Sequence, residues 1–206
     1  MFDSPLNSTF IDDTNHNNVS YNWSEFKTLH ASVNGYSAVF VAKRYGKWHI
    51  LKCLTTEAEQ NPRYNTLLEK EFAIANSIDH PNVVHTEGFE NVPSLGQCIV
   101  QEYIDGDTWD TYFSKNSKKI SRATVERLIT ELCDALQFIH SKQIIHRDIK
   151  PENILITHGE PHVRLIDFGL ADQSSFDILK EAAGSRDYIA PEVLEGGTAT
   201  IQSDLY

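Results

Sequence analysis

The sequence predicts an α+β fold of two unlike lobes, an antiparallel sheet carrying one helix followed by a mainly helical half. Three observations predict it. Residues 37–42 and 47–54 read as strands joined by a turn at Arg44-Tyr45-Gly46. Residues 65–78 place Leu67, Glu71, Ile74 and Ile78 on one helical stripe. Residues 121–141 form a longer stripe of Val125, Leu128, Ile129, Leu132, Leu136 and Ile139, with Ser121 as N-cap.

Taken in order, residues 1–24 are rich in Asn, Ser, Asp and Thr without an apolar period and read as a loose leader. The first lobe is expected over 25–103 and the second over 104–206. In the strand at 47–54, Trp48, Ile50, Lys52 and Leu54 share a face, so Lys52 stands in an apolar row. The helix at 65–78 follows an extended Asn61-Pro62 and turns Glu71 inward, while Glu69 faces solvent. A buried carboxylate is costly unless a cation meets it. Lys52 and Glu71 are each badly placed alone and are natural partners; the alternative is a snorkelling lysine and a frayed glutamate at the helix edge. A strand at 97–103 and a turn at Asp105-Gly106-Asp107 come next. After the long helix, 154–156 and 163–166 flank His158-Gly159-Glu160-Pro161 as a small hairpin.

The 206 residues suffice for one domain or two small lobes with a buried core. A net charge of −11 argues against broad nucleic-acid binding and against attraction to anionic membranes. Cys53, Cys98 and Cys133 stand singly in apolar runs, which reads as reduced, buried thiols rather than a disulfide framework or zinc site. The N-terminus lacks a signal-peptide pattern and no apolar run is long enough to cross a bilayer, so a soluble cytoplasmic protein is expected. Oligomeric state is not legible.

The densest chemistry lies in His146-Arg147-Asp148-Ile149-Lys150-Pro151-Glu152-Asn153, followed by Asp167-Phe168-Gly169 and then Ala190-Pro191-Glu192. Phosphoryl transfer needs a carboxylate to accept the hydroxyl proton and oxygen ligands for the Mg²⁺ that neutralises nucleotide phosphates. Asp148, Asn153 and Asp167 carry such groups. In this order the motifs form a protein-kinase signature, and roughly residues 25–206 resemble the eukaryotic-type (Hanks-type) protein kinase family.

The resemblance implies a protein-kinase-like bilobal fold and a protein Ser/Thr kinase using ATP and Mg²⁺. Asp148 would be the catalytic base and Lys150 would neutralise the γ-phosphate. Asn153 and Asp167 would hold Mg²⁺, and Lys52, oriented by Glu71, would grip the α- and β-phosphates. Lys150 in this loop points to Ser/Thr rather than Tyr substrates. Val100-Gln101-Glu102-Tyr103-Ile104 resembles the hinge, with the Glu102 and Ile104 backbones facing adenine, Gln101 as gatekeeper, and Val39 and Leu155 sandwiching the ring. For the apolar positions simple core packing reads the same way. Arg147 would bind a phosphorylated activation-segment residue, with Ser174 and Ser175 as candidates and Ser185 facing the substrate hydroxyl. His146 is expected to pack on Phe168 rather than bind metal.

Two departures from the family pattern stand out. All three aligned phosphate-loop glycines are replaced in Ser32-Val33-Asn34-Gly35-Tyr36-Ser37, and Ile50 stands where a smaller residue is usual; weaker nucleotide affinity is expected. The chain stops at Tyr206, just past Asp204, which resembles the aspartate bracing the catalytic loop; the expectation is a second lobe left incomplete by C-terminal truncation, with the 121–141 helix uncovered. Three readings follow: an active protein kinase, a truncated and inactive pseudokinase-like nucleotide-binding or scaffold module, and a small-molecule phosphotransferase of the aminoglycoside-kinase type. The complete set Lys52, Glu71, Asp148, Asn153 and Asp167 favours the first over the second, and Ala190-Pro191-Glu192 with Lys150 disfavours the third.

Overall fold

The computed structural model describes residues 23–31, 36–173 and 186–206. The 1–22 part of the leader, most of the phosphate-loop segment, and Ser174, Ser175 and Ser185 lie outside the described residues.

The first lobe is built on five antiparallel strands, β1 (Trp23–Ala31), β2 (Ser37–Arg44), β3 (Lys47–Leu54), β4 (Thr86–Val92) and β5 (Gly96–Glu102), in the order β1-β2-β3-β5-β4. The β2–β3 hairpin turns where the sequence places it: Tyr45 and Gly46 have φ of 51° and 78°, the left-handed pair that a tight two-residue hairpin demands. β1 begins at Trp23, inside the stretch read as leader. Between β3 and β4 stand a four-residue helix α1 (Thr56–Glu59), capped by Thr55, and α2 (Pro62–Asn76).

α2 starts three residues earlier than the apolar stripe predicts. Asn61 accepts the Arg63 N–H at 3.0 Å as N-cap, and Pro62 occupies the first helical position, where its missing N–H costs nothing. Asn61 is extended, as expected, and serves as the cap, while Pro62 is already the first residue of the helix. The stripe itself is as expected: Leu67, Glu71, Ile74 and Ile78 are buried and Glu69 is exposed.

The second lobe follows the crossing at residues 103–105. The predicted turn at Asp105-Gly106-Asp107 instead opens β6 (Gly106–Thr108), which pairs with the strand at Ile154–Thr157. A Cβ on Gly106 would stand 2.5 Å from the Ile156 carbonyl oxygen, so glycine is needed for that pairing. Then come α3 (Trp109–Asn116), α4 (Arg122–Ser141), β7 (Ile144–Ile145), β8 (Ile154–Thr157), β9 (Val163–Leu165), β10 (Asp172–Gln173) and α5 (Pro191–Leu194). Ser121 caps α4 by accepting the Thr124 N–H at 3.1 Å.

Only part of the predicted α4 stripe is buried. Leu128, Ala135, Leu136 and Ile139 are buried, but Ile129 and Cys133 are exposed. The expectation of a buried Cys133 is thus wrong, because the apolar positions span a wider arc than the β7–β9 side covers. Cys53 and Cys98 are buried as expected, facing each other across β3 and β5.

Two cores result. Leu54, Ala58, Leu68 and Ile99 pack α2 on the sheet, while Ile74 of the same helix and Ile78 just past its end enter the second-lobe core with Leu136, Ile139, Leu165 and Phe168. α2 therefore belongs to both lobes, and its Glu71 sits at their junction.

Candidate active site

A cleft of about 480 Å³ lies where the lobes meet. Val39, Ile50 and Lys52 of the sheet line one wall, Asn153, Leu155 and Asp167 the other, and Glu102, Tyr103 and Ile104 close the back. Val39, Lys52, Glu102, Ile104, Asn153, Leu155 and Asp167 are thus all brought to one place. Glu71, Asp148 and Lys150 stand just outside this lining.

Lys52 is the centre of charge. Its Nζ lies 2.6 Å from Glu71 Oε1 and 2.6 Å from Asp167 Oδ1, joining residues far apart in the chain. Burial disfavours the ammonium, but the two carboxylates more than offset this and raise its pKa. Burial likewise works against the Asp167 carboxylate; Lys52 and the Gly169 N–H at 3.1 Å outweigh it and hold its pKa well below the usual carboxylate range. Glu71 responds the other way: burial and the nearby Asp167 charge push it up against the pull of Lys52. Its Oε2 is buried without a hydrogen-bond partner and points toward Gly169. A methyl on Gly169 would lie 2.9 Å from Lys52 Nζ and 3.1 Å from Asp167 Oδ1, so only glycine leaves the ion triad room.

Asp148 anchors a second cluster. Its Oδ2 meets Lys150 Nζ at 2.7 Å and accepts from Asn153 Nδ2 at 2.8 Å, and its carbonyl accepts from the same amide at 2.9 Å. Both amide hydrogens of Asn153 are thereby directed at Asp148, which turns Asn153 Oδ1 the other way. The Ile166 N–H bonds the Asn153 carbonyl at 2.9 Å, tying this cluster to the segment carrying Asp167.

The loop is held from below. Arg147 has φ of 69°, a left-handed conformation that costs a non-glycine residue about 1–3 kcal/mol unless its surroundings enforce it. The fully buried Asp204 carboxylate enforces it, accepting the His146 and Arg147 N–H groups, each at 2.8 Å. His140 Nε2 completes the set at 2.8 Å. His146 packs against Phe168 as predicted, its ring tilted at 59° with centroids 4.9 Å apart; its Nε2 donates to the Ile166 carbonyl and its Nδ1 accepts the Asp148 N–H. That pattern requires neutral imidazole, and burial lowers its pKa accordingly. Glu192 accepts from Ser203 Oγ at 2.6 Å.

Two residues carry more than their sequence reading. Gln101 is buried at the back of the cleft and donates to Thr86 Oγ1 at 3.3 Å, so its polarity is satisfied internally. Glu102 was expected to matter only through its backbone; its carboxylate accepts the His85 N–H at 2.6 Å and pairs with Arg164. No sequence signal marks that pair, because residues 62 apart meet only after both lobes have formed.

The sequence pattern of the protein kinase domain matches residues 34–206. The chain belongs to the protein kinase domain family. A probable serine/threonine-protein kinase PknB from Lactococcus lactis is 37% identical over 138 residues, 66% of this chain and 21% of that protein. The serine/threonine-protein kinase cds1 of Schizosaccharomyces pombe is 34% identical over 196 residues, 89% of this chain and 41% of its own length. Calcium/calmodulin-dependent protein kinase type 1B of Rattus norvegicus is 30% identical over 164 residues, 78% of this chain and 47% of that protein. This kinase domain thus spans between about a fifth and a half of the length of these curated relatives. No described helix is long and apolar enough to cross a membrane.

Proposed function

We propose that this kinase domain transfers the γ-phosphate of ATP to serine or threonine hydroxyls of protein substrates, with a first lobe over 25–103 and a second over 104–206. The observation that carries the reading is the meeting of Lys52 with both Glu71 and Asp167 at 2.6 Å, beside an Asp148–Lys150–Asn153 cluster. A buried ammonium between two carboxylates is a poised anion site: a phosphate can displace Asp167 while Glu71 keeps the lysine aimed.

The donor set suits Mg²⁺. Among the described residues no three His, Cys, Asp or Glu side chains gather into a metal cage. One carboxylate (Asp167) and one amide oxygen (Asn153 Oδ1) fit a hard ion that takes few protein oxygens and completes its shell with phosphate and water. When bound, the ion supplies charge neutralisation on the phosphates. Val39 and Leu155 would enclose the adenine, with the Glu102 and Ile104 backbones at its edge. Asp148 would accept the proton of the incoming hydroxyl; Lys150, 2.7 Å from its carboxylate, would offset charge on the transferring group. Positioning and electrostatics then carry the rate. A cytoplasmic setting accords with Cys53 and Cys98, which face each other as free thiols.

The test is phosphate incorporation from Mg·ATP into a generic Ser/Thr substrate by the purified 206-residue chain, beside Asp148→Asn. The wild type is expected to transfer, and the variant to lose at least ~1000-fold in rate while still binding nucleotide. Equal transfer by both would remove Asp148 from its role.

A further inference from the structure

The Glu102 side chain sits where the chain leaves the sheet for the second lobe, one residue before Tyr103 and two before Ile104, which line the back of the cleft. Its carboxylate joins two other elements. Oε1 accepts the His85 N–H at 2.6 Å, from the segment between α2 and β4, and the Glu102 N–H returns a bond to the His85 carbonyl at 3.1 Å. The same oxygen takes a hydrogen bond from the Arg164 guanidinium on β9. Arg164 lies opposite Leu155 in the β8–β9 ladder and three residues before Asp167. The pair is mostly sheltered, with side-chain exposures of 20% for Arg164 and 30% for Glu102.

An exposed surface pair would contribute little. This one has leverage because of what lies at each end. On one side is the backbone that would meet the base of a nucleotide; on the other is the strand that delivers Asp167 to the phosphate end. The distance between those two contacts must hold to within a fraction of an ångström, since misplacement of about 1 Å can lower a rate roughly 100-fold.

We propose that Glu102 and Arg164 form a latch across the back of the cleft, a pair of positioning residues that fix the base-binding backbone relative to the Asp167 strand. The proposal rests on the phosphotransfer reading of the cleft. The latch acts on alignment rather than on nucleotide affinity, so its loss appears in kcat and leaves KM for ATP nearly unchanged. Arg164→Lys keeps the charge and should keep most of the effect, whereas Arg164→Met removes it.

The experiment compares the wild-type chain with Glu102→Gln, Arg164→Met, Arg164→Lys and the Glu102→Gln/Arg164→Met double variant. Thermal unfolding confirms folding, and kcat, KM for ATP and amide hydrogen exchange are then measured. Glu102→Gln and Arg164→Met are each expected to lower kcat about tenfold with KM within about twofold. The double variant should be no worse than either single one, and Arg164→Lys should recover most of the rate. Exchange should accelerate together at 103–105 and at 166–168 in the Met variant. Additive losses in the double variant, a loss confined to KM, or an unchanged kcat would overturn the latch. If the wild type transfers no phosphate, the phosphotransfer reading fails by itself and exchange decides the latch. Coupled loosening of both segments supports it, and loosening of the mutated strand alone overturns it.

Discussion

Two residues of the site, Arg147 and Asp167, adopt left-handed backbone conformations with φ of 69° and 64°, and the structure stabilises them by different means. At Asp167 the restraint works through the residue's own side chain: Lys52 grips its Oδ1, and the Gly169 N–H bonds the same oxygen. At Arg147 it works through the backbone, whose N–H is taken by the distant, fully buried Asp204. The first arrangement is one a ligand can compete with, since a phosphate offers Lys52 the same charge that Asp167 does. The second offers no group that a nucleotide could replace. The phosphate side of the cleft is thus held by exchangeable charge, and the loop that presents Asp148 is held by a fixed scaffold.

Breaking the scaffold should have the largest effect on stability. Asp204→Ala leaves the N–H groups of His146 and Arg147 and the ring of His140 without their acceptor. A loss of about 4 kcal/mol in urea unfolding is expected, as for other buried polar networks cut on one side. A loss below about 1 kcal/mol would mean the loop is braced elsewhere.

Breaking the exchangeable side should instead damage chiefly the chemistry. Lys52→Met is expected to lower transfer about 100-fold, equivalent to roughly 2.7 kcal/mol of transition-state stabilisation. Because Glu71 would be left buried and unpaired, Lys52→Met with Glu71→Gln should unfold at a higher urea concentration than Lys52→Met alone while remaining as inactive. Equal stability of the two variants would show that water reaches Glu71.

The smallest effect sharpens the comparison by standing outside it. Ser121→Ala removes the α4 N-cap, remote from both clusters, and should cost about 1 kcal/mol in stability with kcat unchanged. A fall in kcat would mean that α4 transmits strain to the loop it precedes.

Much of this was legible in the sequence because it follows from local pattern. The Lys52–Glu71 pairing could be read from two periodicities, each leaving one charged residue on an apolar face. The Ser121 cap and the Tyr45-Gly46 turn are short-range chemistry. What was not legible depends on packing between distant segments. Cys133 is exposed because only part of the α4 stripe meets β7–β9. Gly106 enters a strand because β8 approaches its backbone too closely for any side chain. The Glu102 carboxylate belongs to the same class: its partners, His85 and Arg164, come from segments that share no pattern with it.

The central claim is that the cleft is a nucleotide site whose phosphate end is an exchangeable charge cluster shared with Mg²⁺. The most direct test is calorimetric titration of the chain with ADP, with and without Mg²⁺, alongside Asp167→Asn. Binding should tighten at least ~10-fold with Mg²⁺ in the wild type, and this gain should vanish in the variant. Affinity indifferent to Mg²⁺ in the wild type, or an equal gain in Asp167→Asn, would contradict the account.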